Sequence, residues 1–166
     1  MSITRFLFKP REAEYLTLPS PQLQLANLRP VLVFDGLNDQ IIAWSGIVPT
    51  TSPIIAPPIE VVIYFFMPNE NIGTVGFSVT VETLTPLDPI DITNTDHFHG
   101  PNFSLSTIIP ANLGQLGALT VPITNFFSFE PGDYIRLFIS RDADSTNIQD
   151  TSVTDTYILA VEVKTN

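Results

Sequence analysis

From residue 30 onward the chain is written in short apolar runs separated by turn-forming residues, the pattern of an antiparallel sandwich or barrel. Eight strands are predicted: Val31–Phe34, Ile41–Ile47, Ile59–Phe66, Gly73–Leu84, Phe103–Ile108, Ala118–Ile123, Asp133–Arg141 and Thr156–Lys164. Between them lie Asp35-Gly36, a stretch from Pro49 to Pro58, a long break from Pro86 to Pro101, Pro131-Gly132, and Asp142 to Asp155. The fourth and eighth strands alternate most cleanly. Phe77, Val79 and Val81 are set against Ser78, Thr80 and Glu82, and Tyr157, Leu159, Val161 and Val163 against Ile158, Ala160, Glu162 and Lys164. Such a period places one face on a core and one in water. The third strand, Glu60 to Phe66, is apolar on both faces and so needs cover on both sides. The seventh, Tyr134 to Ile139, is similar, with Arg136 as its one interruption.

Residues 1–30 follow a different rule. Prolines at 10, 19, 21 and 30 break any period, while Phe6, Phe8, Tyr15 and several leucines lie between them. Proline punctuation biases the segment to extended backbone, and its apolar content is too high for a solvated linker. The expected organisation is an extended N-terminal arm over residues 1–30, lying on its own domain or on a neighbour, and a β-sandwich over 31–166. No helix is convincing. The fold class is all-β: an eight-stranded antiparallel, jelly-roll-like sandwich with that arm.

Composition supports this. Hydrophobic residues make up 44% and charged residues 14% of 166, and fifteen prolines oppose long helices. There is no cysteine, which excludes disulfides, thiolate metal sites and cysteine nucleophiles. Met1 to Pro10 holds no apolar run of signal-peptide length, so cytoplasmic synthesis is expected. The net charge of −10 is uneven. Arg5, Lys9, Arg11 and Arg29 face only Glu12 and Glu14 within the first 30 residues, whereas the rest has three basic and fifteen acidic residues. No lysine or arginine lies between Pro30 and Ile135. A body so poor in cations cannot track a phosphate backbone, so neither nucleic acid nor an anionic membrane is an expected partner.

Chemistry-bearing patterns are sparse. Asp96, His97 and His99 have strand spacing for a shared metal, but three ligands within four residues make a weak pattern, and a polar loop is the plainer reading. The run Arg141 to Asn147 resembles a calcium loop but has Asn147 and Val153 where an EF-hand needs glycine and glutamate; only a looser site of Asp142, Asp144 and Asp150 remains open. No phosphate loop, nucleophile elbow or zinc-protease motif is present. Seventeen acidic residues guarantee carboxylate pairs by number alone, so a pair carries no specificity for glycoside hydrolysis. Trp44 fits packing better than sugar stacking. The chain is expected not to be an enzyme and to need no cofactor or metal.

The succession Arg29-Pro30-Val31-Leu32-Val33-Phe34-Asp35-Gly36, the strand around Trp44, and Val48-Pro49 resemble uncharacterised jelly-roll structural proteins of tailed bacteriophages. So do Gly73 to Glu82, Pro131 to Asp144, and the closing strand through Val161-Glu162-Val163. The resemblance covers about residues 29–164, and its motifs are structural. It implies a virion protein assembled in the host cytoplasm, such as a capsid decoration (cement) protein or fibre, commonly a homotrimer, whose partner is the major capsid protein or another virion protein. It brings no catalytic residues. The chain departs from the pattern at Ile41, Ile42 and Ala43 and in its Pro49–Pro58 loop.

Three functions follow in order. The first is a decoration protein whose trimer contacts use Tyr64, Phe65, Phe66, Phe126, Phe127 and Phe129, with Arg5, Phe6, Phe8, Lys9, Arg11 and Tyr15 anchoring the arm to the particle. The second is a module binding a host glycan or receptor through the Asp88–Gly100 and Asp142–Asp155 loops. The third, an enzyme, has no convergent constellation behind it.

Overall fold

The structure is a computed structural model and describes residues 3–16, 19–56, 58–88, 103–124, 128–146 and 149–165. Among the described residues there are eleven strands: β1 Ile3–Phe8, β2 Glu14–Tyr15, β3 Gln22–Ala26, β4 Arg29–Phe34, β5 Gln40–Ile47, β6 Ile59–Phe66, β7 Thr74–Leu84, β8 Phe103–Ile108, β9 Gly117–Ile123, β10 Tyr134–Arg141 and β11 Thr156–Thr165. Among the described residues the one helical element is a 3-10 turn at Pro10–Glu12. All pairings are antiparallel.

Two sheets face each other. One runs β3-β4-β11-β6-β9, with β1 also on β11; the other runs β2-β5-β10-β7-β8. Their inner faces interdigitate as one core that includes Leu32, Phe34, Ile42, Trp44, Ile63, Phe65, Phe77, Leu137 and Val161. The eight predicted strands correspond to β4 through β11. The other three lie in the N-terminal segment, which is extended, as expected, but woven into both sheets. β1 pairs with the end of β11, β2 with β5, and β3 with β4, so residue 30 falls inside a strand.

Hydrophobic burial explains why this segment lies on its own domain. Phe8 is in the core, Phe6 packs against it, and their rings are stacked at 5.9 Å. Phe8 in turn lies 6.3 Å from Trp44, whose indole N–H donates to the Lys9 carbonyl at 2.9 Å. Trp44 is therefore a core residue, as its strand position predicted.

The alternation expected of β11 is broken once. A bulge between Ile158 and Ala160 shifts the register, so Ile158, Val161 and Val163 all face the core, while Tyr157, Glu162 and Lys164 do not. The expected grouping of Val161 and Val163 with Tyr157 is corrected by that extra residue, since a bulge swaps the faces of everything beyond it.

The β3–β4 hairpin turns through Asn27 and Leu28, both at positive φ (47° and 68°). Two consecutive left-handed residues match the twist of the flanking strands. Leucine is poorly suited to the second position and is 87% exposed there.

Candidate functional site

The outer face of the β2-β5-β10-β7-β8 sheet carries the most developed polar cluster. Ile135, Leu137 and Ile139 of β10 and Val79 and Val81 of β7 point into the core, so Tyr134, Arg136, Glu82 and Leu84 point outward. Cross-strand register sets Arg136 opposite Glu82 and Tyr134 opposite Leu84. Arg136 Nη1 donates to Glu82 at 3.5 Å and Nη2 to Glu14 of β2 at 3.2 Å. The second Glu14 oxygen accepts from the Ser45 hydroxyl on the intervening β5. The guanidinium also lies 4.7 Å from the centre of the Phe138 ring. One cation is thus held by two carboxylates and an aromatic face, which fixes its position.

Two turns place these groups beside a cavity. Glu130-Pro131-Gly132-Asp133 is a tight turn with the Asp133 N–H on the Glu130 carbonyl at 3.1 Å and Gly132 at φ 94°, a conformation that favours glycine after proline. It delivers Tyr134 to the start of β10. At the end of β7 the chain turns again through Thr85 to Asp88, with the Asp88 N–H on the Thr85 carbonyl at 3.2 Å. Against the second turn and the start of β10 lies a cleft of about 500 Å³, lined by Glu82, Leu84, Pro86, Leu87, Asp88, Tyr134 and Arg136 among others. Among the described residues the Asp88 side chain has no hydrogen-bond or ion-pair partner. The cleft offers an aromatic ring, apolar walls, hydrogen-bond acceptors and one donor group, which is the equipment for a polar ligand with apolar faces.

At the opposite end of β10 a second cluster is structural. Arg141 has no solvent exposure, and its donors reach Asp150 (3.0 and 3.3 Å) and the carbonyls of Asp35, Ser152 and Thr154 (3.1, 3.1 and 2.7 Å). It ties the 142–155 loop to the β4–β5 turn. That turn passes so close to the loop that a Cβ on Gly36 would meet the Thr154 backbone at 2.5 Å. In the same turn the Leu37 N–H and the Asn38 side chain hold the Asp35 carboxyl below its ordinary value of 3.8. Asp150 is thus committed to Arg141, which takes it out of the looser calcium site that the sequence left open. The carboxylates that approach one another, within 4.8 Å, are Asp39, Asp142 and Asp144.

No protein-family profile matches the chain, and no curated protein is similar to it in sequence. Solved structures do match. A carbohydrate-binding module of lichenase 5A from Cellvibrio mixtus, solved with cellotriose, superposes with a TM-score of 0.52 over 99% of both chains at 8% identity. A family 35 module from Cellvibrio japonicus covers 95% of this chain and 92% of its own at 0.51 and 10% identity. A family 35 carbohydrate-binding module from an environmental isolate gives 0.51 over 97% and 93% at 12% identity. The chain has the fold of these sandwiches.

The remaining expected site residues are scattered. Phe65 and Phe129 are fully buried in the core and present no ring to a neighbour. Tyr64 and Phe66 are half-buried on the outer face of the other sheet, where Phe66 lies 5.2 Å from Tyr157 and the Tyr64 hydroxyl donates to Glu162 at 2.7 Å. Phe126, Phe127, Asp96, His97 and His99 lie outside the described residues. Of the arm residues, Phe8 is buried, Arg5 donates to the Thr165 hydroxyl at 3.0 Å, Phe6 is half-buried, and Lys9, Arg11 and Tyr15 are exposed. The residues missed by sequence reasoning are Glu14, Glu82 and Tyr134. The signal available for them was Arg136, the one charge within the apolar run Tyr134 to Ile139, which has to be paired with something.

Proposed function

We propose that the protein is a carbohydrate-binding module that holds a saccharide in the Tyr134–Arg136 cleft without cleaving it. The observation that carries this reading is the cleft itself: a volume of about 500 Å³, in the range of small-ligand sites, where a ring, two carboxylates and a guanidinium converge. A pyranose has apolar C–H faces and a polar rim of hydroxyls. Tyr134, Leu84 and Pro86 suit the faces; Glu82 and Asp88 accept from hydroxyls, and Arg136 donates to ring and hydroxyl oxygens. The shared fold with modules that bind sugar supports the reading. Placement on a phage particle, as a fibre or appendage module, rests on the sequence resemblance alone, and the trimer expectation loses Phe65 and Phe129 to the core.

The test is a soluble glycan and polysaccharide panel followed by calorimetry on the hits. Tyr134→Ala should weaken binding about tenfold or more, the loss expected of an aromatic anchor, while the unfolding curve of the variant reports its integrity. Absence of any saccharide binding, or binding indifferent to Tyr134→Ala in a folded variant, refutes the assignment.

A further inference from the structure

Building on the carbohydrate-binding reading, we infer that the cleft favours amine-bearing saccharides over neutral ones and rejects uronates and sulfated sugars. The inference rests on where the few cations of the chain are and what already occupies them. Among the described residues Arg136 is the one basic residue lining the cleft, and both its terminal nitrogens are engaged, with Glu82 and Glu14. Glu82 and Asp88 of the lining, with Glu14 beside it, set three carboxylates against one guanidinium, a formal charge of −2. The sequence carries no lysine or arginine from residue 31 to 135. Elsewhere Arg141 is fully buried on Asp150, and Lys164 is paired with Glu162 at 3.0 Å.

An anionic sugar entering this cleft would compete with Glu82 and Glu14 for Arg136 and face their carboxylates. An ammonium-bearing sugar instead finds Asp88, which has no partner among the described residues, beside Glu82. Charge-assisted hydrogen bonds to a carboxylate are the stronger kind, and a partly enclosed site screens them less than open surface does.

Four oligosaccharides of equal length separate the possibilities: β-1,4-linked glucosamine, its N-acetylated form, the cello-oligosaccharide, and an oligogalacturonate. Calorimetry is run at mildly acidic pH, where the sugar amines are protonated. The glucosamine oligomer should bind about tenfold tighter than its acetylated form at low salt, the effect of one good charged contact. The ratio should shrink as salt is added, and the galacturonate should not bind. Asp88→Asn should bring the ratio toward unity. Asp144→Asn, at the far end of β10, should leave it unchanged, which separates a cleft contact from the bulk charge of the chain. Equal affinity for the amine and acetamide forms, tightest binding of the galacturonate, or equal effects of the two asparagine variants would each overturn the inference while leaving carbohydrate binding intact. Failure of all four oligomers and of the glycan panel would overturn the underlying function instead.

Discussion

Removal of the Asp150 carboxylate should be among the most damaging single changes available in this fold. Its two oxygens accept four hydrogen bonds: Arg141 Nε and Nη2 at 3.0 and 3.3 Å, the Gly76 N–H at 3.1 Å and the Ser152 N–H at 3.0 Å. Asp150→Ala leaves the Arg141 guanidinium buried with three carbonyl partners and no counter-charge. Breaking a buried pair from one side costs about 3–5 kcal/mol, and two orphaned backbone N–H groups add about 1 kcal/mol or more each. Against a typical stability of about 5–15 kcal/mol that is a large share, and at roughly 2–4 °C per kcal/mol the melting temperature should fall by about 10 °C or more. Urea denaturation followed by Trp44 emission is the assay, since the chain has one tryptophan and it is fully buried. Arg141→Lys should cost less, because it keeps the charge and loses the planar fork. The double variant Arg141→Met/Asp150→Ala should fall well short of the sum of its single changes, as expected for partners in one network. An Asp150→Ala midpoint within about 0.5 kcal/mol of the parent at unchanged slope would mean that Arg141 reaches water, and the reasoning would fail.

Two further outcomes bear on the N-terminal segment. Phe8→Ala should cost about 3 kcal/mol, the usual loss for truncating a buried phenylalanine, and should red-shift Trp44 emission; full stability in a monomeric sample would show that the segment is not part of the core. Leu28→Gly should stabilise by about 1 kcal/mol, because it relieves a left-handed leucine without removing buried surface, and a lower urea midpoint for it would refute that account.

The strands of the body were legible because each is a short apolar run closed by Gly, Pro or Asp, and all eight appear within a residue or two of their expected bounds. The strands of the N-terminal segment were not, because their partners are distant in sequence: nothing local in Ile3–Phe8 announces β11, some 155 residues on. The bulge in β11 was equally hidden, since Val161 to Lys164 alternates on paper, the apolar run before it carries no sign of an irregularity, and only the register with β6 shows the extra residue. The cleft was half legible. Asp88 opened a loop already read as a glycan candidate, and Arg136 stood out by its charge. Glu82 read as an ordinary solvent-facing position until cross-strand pairing set it opposite Arg136. Glu14 reaches that arginine from two strands away in the sheet.

The charge asymmetry between the first 30 residues and the rest takes on a different meaning in the folded chain. Counted along the sequence, a segment of net +2 beside a body of net −12 reads as a basic arm seeking an acidic surface on a neighbour. In space the decisive contact runs the other way: the segment supplies a carboxylate, Glu14, to the body's cation, Arg136. What holds the segment is apolar, the Phe6–Phe8–Trp44 stack, and burial of that kind is indifferent to charge. The segment therefore contributes half of the ion-pair cluster that positions Arg136. Weakening its dock at Phe8 should loosen Glu14 and with it the guanidinium. On that reasoning Phe8→Ala perturbs ligand binding in a cleft that Phe8 does not line, an effect at a distance carried by one strand and one salt bridge.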